Sequence, residues 1–411
     1  WAGRLKVEQR PRIIFAALAV LTLSLGAWRS AARPDLAPST FIAASSQAIP
    51  NMALREIARY DIPMPADTPA AHASFLLADK SGAQDRLRAF WFAGSRESGP
   101  DVQIVASEFL NGKWTPASVV VNRHSVFVEL GIGSWIRRLG NSVAWIDAQG
   151  RTHLYVVATG LGGWAASRIL HLRQDSSQAF KPIGFLQLSP LFNLSHLVRG
   201  VPVPMQDGGV LLPAYFELGI KYPVAIRLDK EGDLVQSRDA VTRMAGNLKS
   251  LQPMVVVASE LNATAYLRDN SDQKKLRFIQ TADGGKSWQD VPSSQGAVGD
   301  AGADFVINPD SSALALKVAG QTLLIHNPQT SGRHRLVIEG SKDGLRGFKR
   351  LATLEYEPER LEGVEFNEYS YPSAVVVKTE NGGQQLHVSY TYQKHFIRHV
   401  VLNIESKEAA K

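Results

Sequence analysis

Thr281-Ala282-Asp283-Gly284-Gly285-Lys286-Ser287-Trp288 lies between the apolar run 276–280 and the polar, proline-containing stretch 291–294. Asp-Gly-Gly between two strand-like runs signals a hairpin, because glycine accepts the positive φ angles that tight turns demand. The tryptophan follows the aspartate by five residues, and the chain repeats that step. Asp343 precedes Phe348, Asp175 precedes Phe180, and a copy that has lost its aspartate ends at Trp114 in Asn111-Gly112-Lys113-Trp114. The aromatic positions 114, 180, 288 and 348 are 66, 108 and 60 residues apart. The middle interval holds two units of about 54 residues, near the roughly 40–50 residues of a four-stranded propeller blade.

The pattern Ser/Thr-x-Asp-x-Gly-x-Ser/Thr-Trp resembles the Asp box, the repeat found on the blades of sialidase (neuraminidase)-type propellers. That resemblance implies an all-β, six-bladed β-propeller over residues 71–405. The rest of the chain reads the same way. Short apolar runs such as 89–93, 143–146, 210–214, 313–318 and 386–392 are separated by Gly, Asp, Asn and Ser turns, the rhythm of an all-β fold. Helical periodicity is sparse, with 51–60 and a turn near 238–244 as short candidates.

Composition narrows the function classes. The 411 residues are 45% hydrophobic and 20% charged, which suits a large core. Length alone suggests two or three domains, but a propeller uses it as one. The 45 Lys and Arg against 38 Asp and Glu give +7, dispersed rather than blocked, so nucleic acid is not indicated as a partner. There is no cysteine, which excludes disulfides and thiol chemistry. No G-x-x-x-x-G-K-S/T, H-E-x-x-H or G-x-S-x-G occurs, so nucleotide, zinc-protease and serine-hydrolase readings find no support. No metal or cofactor is expected.

Four basic residues, Arg4, Lys6, Arg10 and Arg12, precede an uncharged apolar run over 13–28, and Arg29 and Arg33 follow it. Sixteen residues make a helix of about 24 Å, short of the roughly 20 residues of an ordinary crossing but within reach if the flanks snorkel. The expectation is a single transmembrane or signal-anchor helix within 1–29. Its basic side is cytoplasmic, and the propeller faces the periplasm or outside. Residues 30–70, rich in Ala, Pro and Ser, read as a tether, and 406–411 as a tail.

The resemblance also implies a site at the propeller axis. In Phe90-Trp91-Phe92-Ala93-Gly94-Ser95-Arg96-Glu97-Ser98-Gly99-Pro100-Asp101, Arg96 and Asp101 occupy the places of a sialidase arginine and the acid/base aspartate five residues later. Such an acid needs a raised pKa. Glu368-Tyr369-Ser370-Tyr371-Pro372-Ser373 resembles the segment bearing the nucleophilic tyrosine, and counting back from Asn381-Gly382 favours Tyr371. Sialidases use tyrosine because the anomeric centre already bears a carboxylate. Arg268 and Arg333 match two of the three arginines that grip the substrate carboxylate bidentately. His72 stands in place of the first, and Gln252 in place of the glutamate that activates the tyrosine. Glutamine cannot accept a phenolic proton as a carboxylate does, and Glu217 or Glu368 is a candidate stand-in.

Trp164, Tyr215 and Glu217 join the candidate substrate-binding set, with aromatic faces for sugar rings and polar groups for hydroxyls. Leu139-Gly140-Asn141-Ser142, Asp207-Gly208-Gly209, Lys221-Tyr222-Pro223 and Tyr390-Thr391-Tyr392-Gln393 resemble a distinct bacterial branch of these proteins. The leading expectation is a sialidase-like exo-glycosidase or related enzyme cleaving an acidic sugar of a glycan or polysaccharide. The alternatives are a glycan-binding propeller without catalysis, or an accessory subunit of a membrane complex.

Overall fold

A computed structural model describes residues 9–43, 48–79, 86–131, 136–189, 193–292, 304–363, 367–379 and 381–406. The basic stub 1–8 and the end of the tail, 407–411, lie outside the described residues.

Six antiparallel sheets account for nearly all the regular structure. In chain order the first strands of the blades are Ala70–Asp79, Arg138–Ile146, His196–Val198, Ser250–Val257, Leu314–Val318 and Tyr369–Lys378. Each blade packs against the next and the sixth against the first, so the six stand around a common axis. The repeats expected from the sequence are blades. Trp114, Phe180, Trp288 and Phe348 all stand at the turn between the third and fourth strands. Asp283 accepts the Ser287 amide, and the Trp288 indole donates to Gly285 O at 3.1 Å. Asp343 and Asp175 cap their turns in the same way. A fifth copy escaped the pattern. Asp229 accepts the Glu231 and Asp233 amides, and five residues on the aromatic is replaced by the buried Leu234. Leu234 divides the 108-residue interval into two of 54.

The sixth blade has no such turn because its outermost strand comes from the other end of the chain. Met52–Asp61 pairs along Phe396–Ser406, so the ring is closed by both termini in one sheet. The stretch 51–60 is therefore strand, where the sequence suggested a short helix inside the tether. Its pairing with Phe396–Ser406, in which Met52 and Ile404 are buried, overrides a weak local preference.

Before this strand, the lead-in crosses one face of the propeller. Phe41 is fully buried beside Trp288 and pairs with Met205. Thr40 O accepts the Gln206 amide, Phe41 N donates to Glu260 O, and Ile49 N donates to Ala319 O. These partners sit on first-to-second-strand turns. With alternating strand direction those turns share a face with the third-to-fourth-strand Asp-box turns. The starts of the first strands and the ends of the second strands lie on the opposite face.

The helix Gln9–Ala31 exposes Ile14, Phe15, Val20 and Trp28. Among the described residues no helix is long and apolar enough to cross a membrane, so the spanning anchor expected from 13–28 is not borne out by length and hydropathy.

Candidate active site

Four first strands are interrupted near their starts, where register shifts fall between His72 and Phe75, Leu139 and Ser142, Leu251 and Met254, and Ser370 and Ser373. A bulge adds a residue and re-aims the side chain beside it. Three bulges carry a non-glycine residue in the left-handed region: Ala73 (φ 54°), Gln252 (φ 49°) and Tyr371 (φ 54°). That conformation costs roughly 1–3 kcal/mol each and persists where the surroundings enforce it, often at functional sites. Pro253 and Pro372 follow two of them, and the missing N–H is tolerated because the ladder is already broken. The freed groups of blade 1 are met by blade 6. Thr391 Oγ1 accepts Ala73 N at 3.0 Å, and Ser373 Oγ accepts Leu76 N at 2.9 Å.

The bulges surround a cavity of about 190 Å³ lined by His72, Phe92, Glu97, Asn141, Trp164, Tyr215, Glu217, Gln252, Arg268 and Tyr371, with Val157, Leu197 and Leu251. Its residues come from the starts of first strands, the ends of second strands and the loops after them. It therefore opens on the face opposite the Asp boxes and the lead-in. The structure brings together seven of the residues expected from sequence: His72, Trp164, Tyr215, Glu217, Gln252, Arg268 and Tyr371.

Arg268 is the hub. Its Nη1 reaches the Tyr371 hydroxyl at 3.3 Å and Gln252 Oε1 at 3.4 Å, and its Nε donates to Asp310 at 2.6 Å. Gln252 Nε2 in turn donates to the Tyr215 hydroxyl at 3.4 Å. The His72 ring lies 4.3 Å from that of Tyr371, and its buried Nδ1 has no hydrogen-bond partner among the described residues. Burial lowers His72 to about 4, so a neutral imidazole stands beside Tyr371 in the cavity wall. Trp164, on a one-turn 3₁₀ segment, covers Gly140 so closely that a Cβ there would meet its ring at 2.8 Å.

Arg333 stands apart from the cavity wall, bound to Glu368 at 2.7 Å, with its guanidinium 5.8 Å from the Tyr371 ring centre. Glu368 is buried and also holds the Ser370 hydroxyl and Lys394. Burial would raise it, but neighbouring His72, Arg333 and Lys394 outweigh that and hold it at about 2. A carboxylate held so firmly in its anionic form is a poor base, which removes it as a stand-in for the missing glutamate. Asp101 does not line the cavity. It is exposed and accepts the Ser95 amide at 2.7 Å and the Ser95 hydroxyl at 2.9 Å. The slight burial that raises it is outweighed by those Ser95 bonds, and the net shift is downward, opposite to what a proton donor needs. Arg96 is exposed and borders a smaller cleft beside Glu97 and Lys394.

The cavity carboxyls are instead Glu97, paired with Lys394 at 2.8 Å, and Glu217, 3.6 Å from Lys221. Glu97 lies in the segment singled out from sequence, four residues before the aspartate that fitted the pattern. Asn141 sits in the quoted Leu139–Ser142 bulge. Asp310 and Lys394 gave no local signal.

Residues 85–388 match the family described as the BNR repeat-like domain. The chain belongs to that family. Among solved structures, this BNR repeat-like propeller is similar to the Hadza microbial sialidase Hz136 (TM-score 0.62, 15% identity, 85% of this chain and 69% of that one). It is also similar to a protein of unknown function from Dyadobacter fermentans (TM-score 0.58, 15% identity, 87% and 100%). A third similar structure is an α-L-arabinanase from Penicillium chrysogenum complexed with arabinobiose (TM-score 0.57, 14% identity, 85% and 98%). Identities this low speak for the shared fold. No curated protein matches the chain.

The buried imidazoles predict acid sensitivity. Burial lowers His72, His153, His196 and His387 each from 6.5 to about 4. Between those values the unfolded chain binds protons that the folded BNR propeller refuses. Stability is therefore full above pH 6.5 and is lost as pH falls toward 4, by about 3 kcal/mol for His72 alone. Glu368 adds a second loss between 4.5 and about 2. Thermal melts from pH 7.5 to 4.5 should show a falling Tm, with a shallower slope in His72→Gln. A flat profile would contradict the neutral buried state.

Proposed function

We propose that the propeller is a glycoside hydrolase that removes an acidic sugar from a glycan, with Tyr371 as nucleophile and Arg268 meeting the sugar's anionic group. One observation carries this reading. The Tyr371 hydroxyl is held by a strained bulge in the cavity wall, 3.3 Å from the Arg268 guanidinium. A tyrosine nucleophile suits an anomeric centre that already bears a carboxylate, where a carboxylate nucleophile would be repelled. With Gln252 unable to take the phenolic proton, that proton passes to an ionised cavity carboxylate as the tyrosine oxygen bonds to the anomeric carbon and the glycosidic bond breaks. The adjacent Arg268 cation stabilises charge developing on the oxygen. The leaving oxygen must be protonated, and Glu97 and Glu217 are the carboxyls within the cavity. Burial would raise Glu97, but His72 and Lys394 outweigh that and lower it, so Glu217 is the expected proton donor. Trp164 and Phe92 supply the apolar faces for the ring.

A panel of aryl glycosides and natural linkages, acidic and neutral, tests the assignment. Turnover is expected for the acidic set. Whichever of Glu97→Gln and Glu217→Gln removes the acid should cost roughly 10²–10³-fold on natural linkages while sparing a nitrophenyl leaving group. Neutral loss in both variants would transfer the acid role elsewhere.

A second reading is a glycan-binding propeller without turnover. It is favoured by Gln252 and by the pairing of Arg268 and Arg333 with Asp310 and Glu368. Saturable calorimetric binding of a sugar with no product would select it over hydrolysis.

A further inference from the structure

Arg199 follows the first strand of blade 3 and is 2% exposed, yet the chemistry above leaves it unused. Its side chain crosses the axis beneath the cavity. Nη1 donates to Ser74 O at 3.1 Å, and Nη2 donates to Pro372 O at 2.7 Å. Those carbonyls belong to the bulges that carry His72 and Tyr371. The guanidinium lies 5.4 Å from the centre of the Tyr371 ring. The next residue seals a fourth blade to the same point. A Cβ on Gly200 would fall 2.3 Å from Pro253 O and 2.6 Å from Pro213, so only glycine lets the backbone press against the Gln252 bulge.

The charge is the unusual part. Arg268, Arg333 and Lys394 each face a carboxylate. Among the described residues Arg199 faces none, and its Nε has no partner. Burial lowers it only to about 10, so it stays cationic at neutral pH. A buried cation without a counter-ion is costly, and an apolar residue could fill the same space more cheaply.

We propose that Arg199 is a positioning residue for the axial site, clamping the Tyr371 bulge from below and setting an unneutralised positive charge under its ring. The clamp follows from the two carbonyl bonds. The electrostatic half rests on the reading of Tyr371 as the reacting group, whose oxygen gathers negative charge during reaction.

The test compares Arg199→Met and Arg199→Lys in the full chain. With an acidic nitrophenyl glycoside, Met should lower kcat by about 100-fold with KM changed less than about threefold. Lys, which keeps the charge and can reach one carbonyl, should recover about tenfold of that loss. Melting temperatures measured alongside separate this from folding, since a purely structural role would leave Lys no better than Met at equal Tm. In a crystal structure of the Met variant, Tyr371 should leave its left-handed conformation.

Wild-type kcat in the Met variant, or an unmoved Tyr371 with Lys no better than Met, overturns the proposal. If the Met variant does not fold, the kcat of the Lys variant decides: a fall of about 3- to 30-fold supports the role and an unchanged value refutes it. If the wild-type protein turns over no glycoside, the enzymatic reading fails separately. The Tyr371 backbone in the variant crystal then decides for or against the clamp.

Discussion

Tyr371→Phe is expected to lower kcat/KM by at least about 10³-fold on an acidic glycoside, because nucleophile removal leaves only binding and charge stabilisation. The substitution deletes one oxygen. Its recorded bond is the 3.3 Å contact from Arg268, while the ring keeps its packing on His72 and its place above Arg199. Tm should therefore move by no more than about 2 °C, as for a single weak hydrogen bond. That separation makes the experiment decisive. Full activity in Tyr371→Phe would mean that another group attacks the sugar, and the case for an acidic substrate would lose its main support.

Removal of residues 1–61 is expected to abolish cooperative folding, whereas removal of 1–33 leaves the melt within about 3 °C of the full chain. The larger deletion strips Met52–Asp61 from Phe396–Ser406. It leaves an eleven-residue edge strand unpaired, a template for aggregation, and takes the buried Phe41 and Met52 with it. The smaller deletion removes a helix whose apolar side chains are exposed. We infer that the exposed apolar side chains of this helix hold the propeller at a membrane surface. The full chain should then sediment with membranes and the 1–33 deletion should not. A full chain that stays in the supernatant, or a 1–61 deletion that melts cooperatively, would refute the respective expectation.

The architecture was legible because an Asp box is local. A turn aspartate that caps amides two to four residues away leaves a fixed step in the sequence, and four of the five copies kept an aromatic at its end. The blade 3 copy was hidden only because Leu234 fills the same apolar socket. The identities at the site were legible where a strand bulge re-aims a residue already marked by type, as with His72, Gln252 and Tyr371. What could not be read was non-local pairing. Glu97 and Asp101 are four residues apart in one loop, and only the fold decides that one faces the cavity while the other caps Ser95. Arg199 reaches carbonyls 125 and 173 residues away, with nothing in its neighbours to announce it. The strand at 52–61 was misread for the same reason, since its partner lies at the far end of the chain.

The lead-in strapped across the Asp-box turns also fixes a direction. Phe41 and the bonds at Thr40 and Ile49 fasten the N-terminal segment to one face, and the cavity mouth is on the other. Whatever grips residues 9–31, a surface or a partner, therefore holds the propeller by its back. The mouth looks outward, with the whole thickness of the blades between it and the point of attachment. For the glycan-cleaving role proposed above, such an orientation would suit capture of chains arriving from solution and work against cropping groups that project from the supporting surface itself.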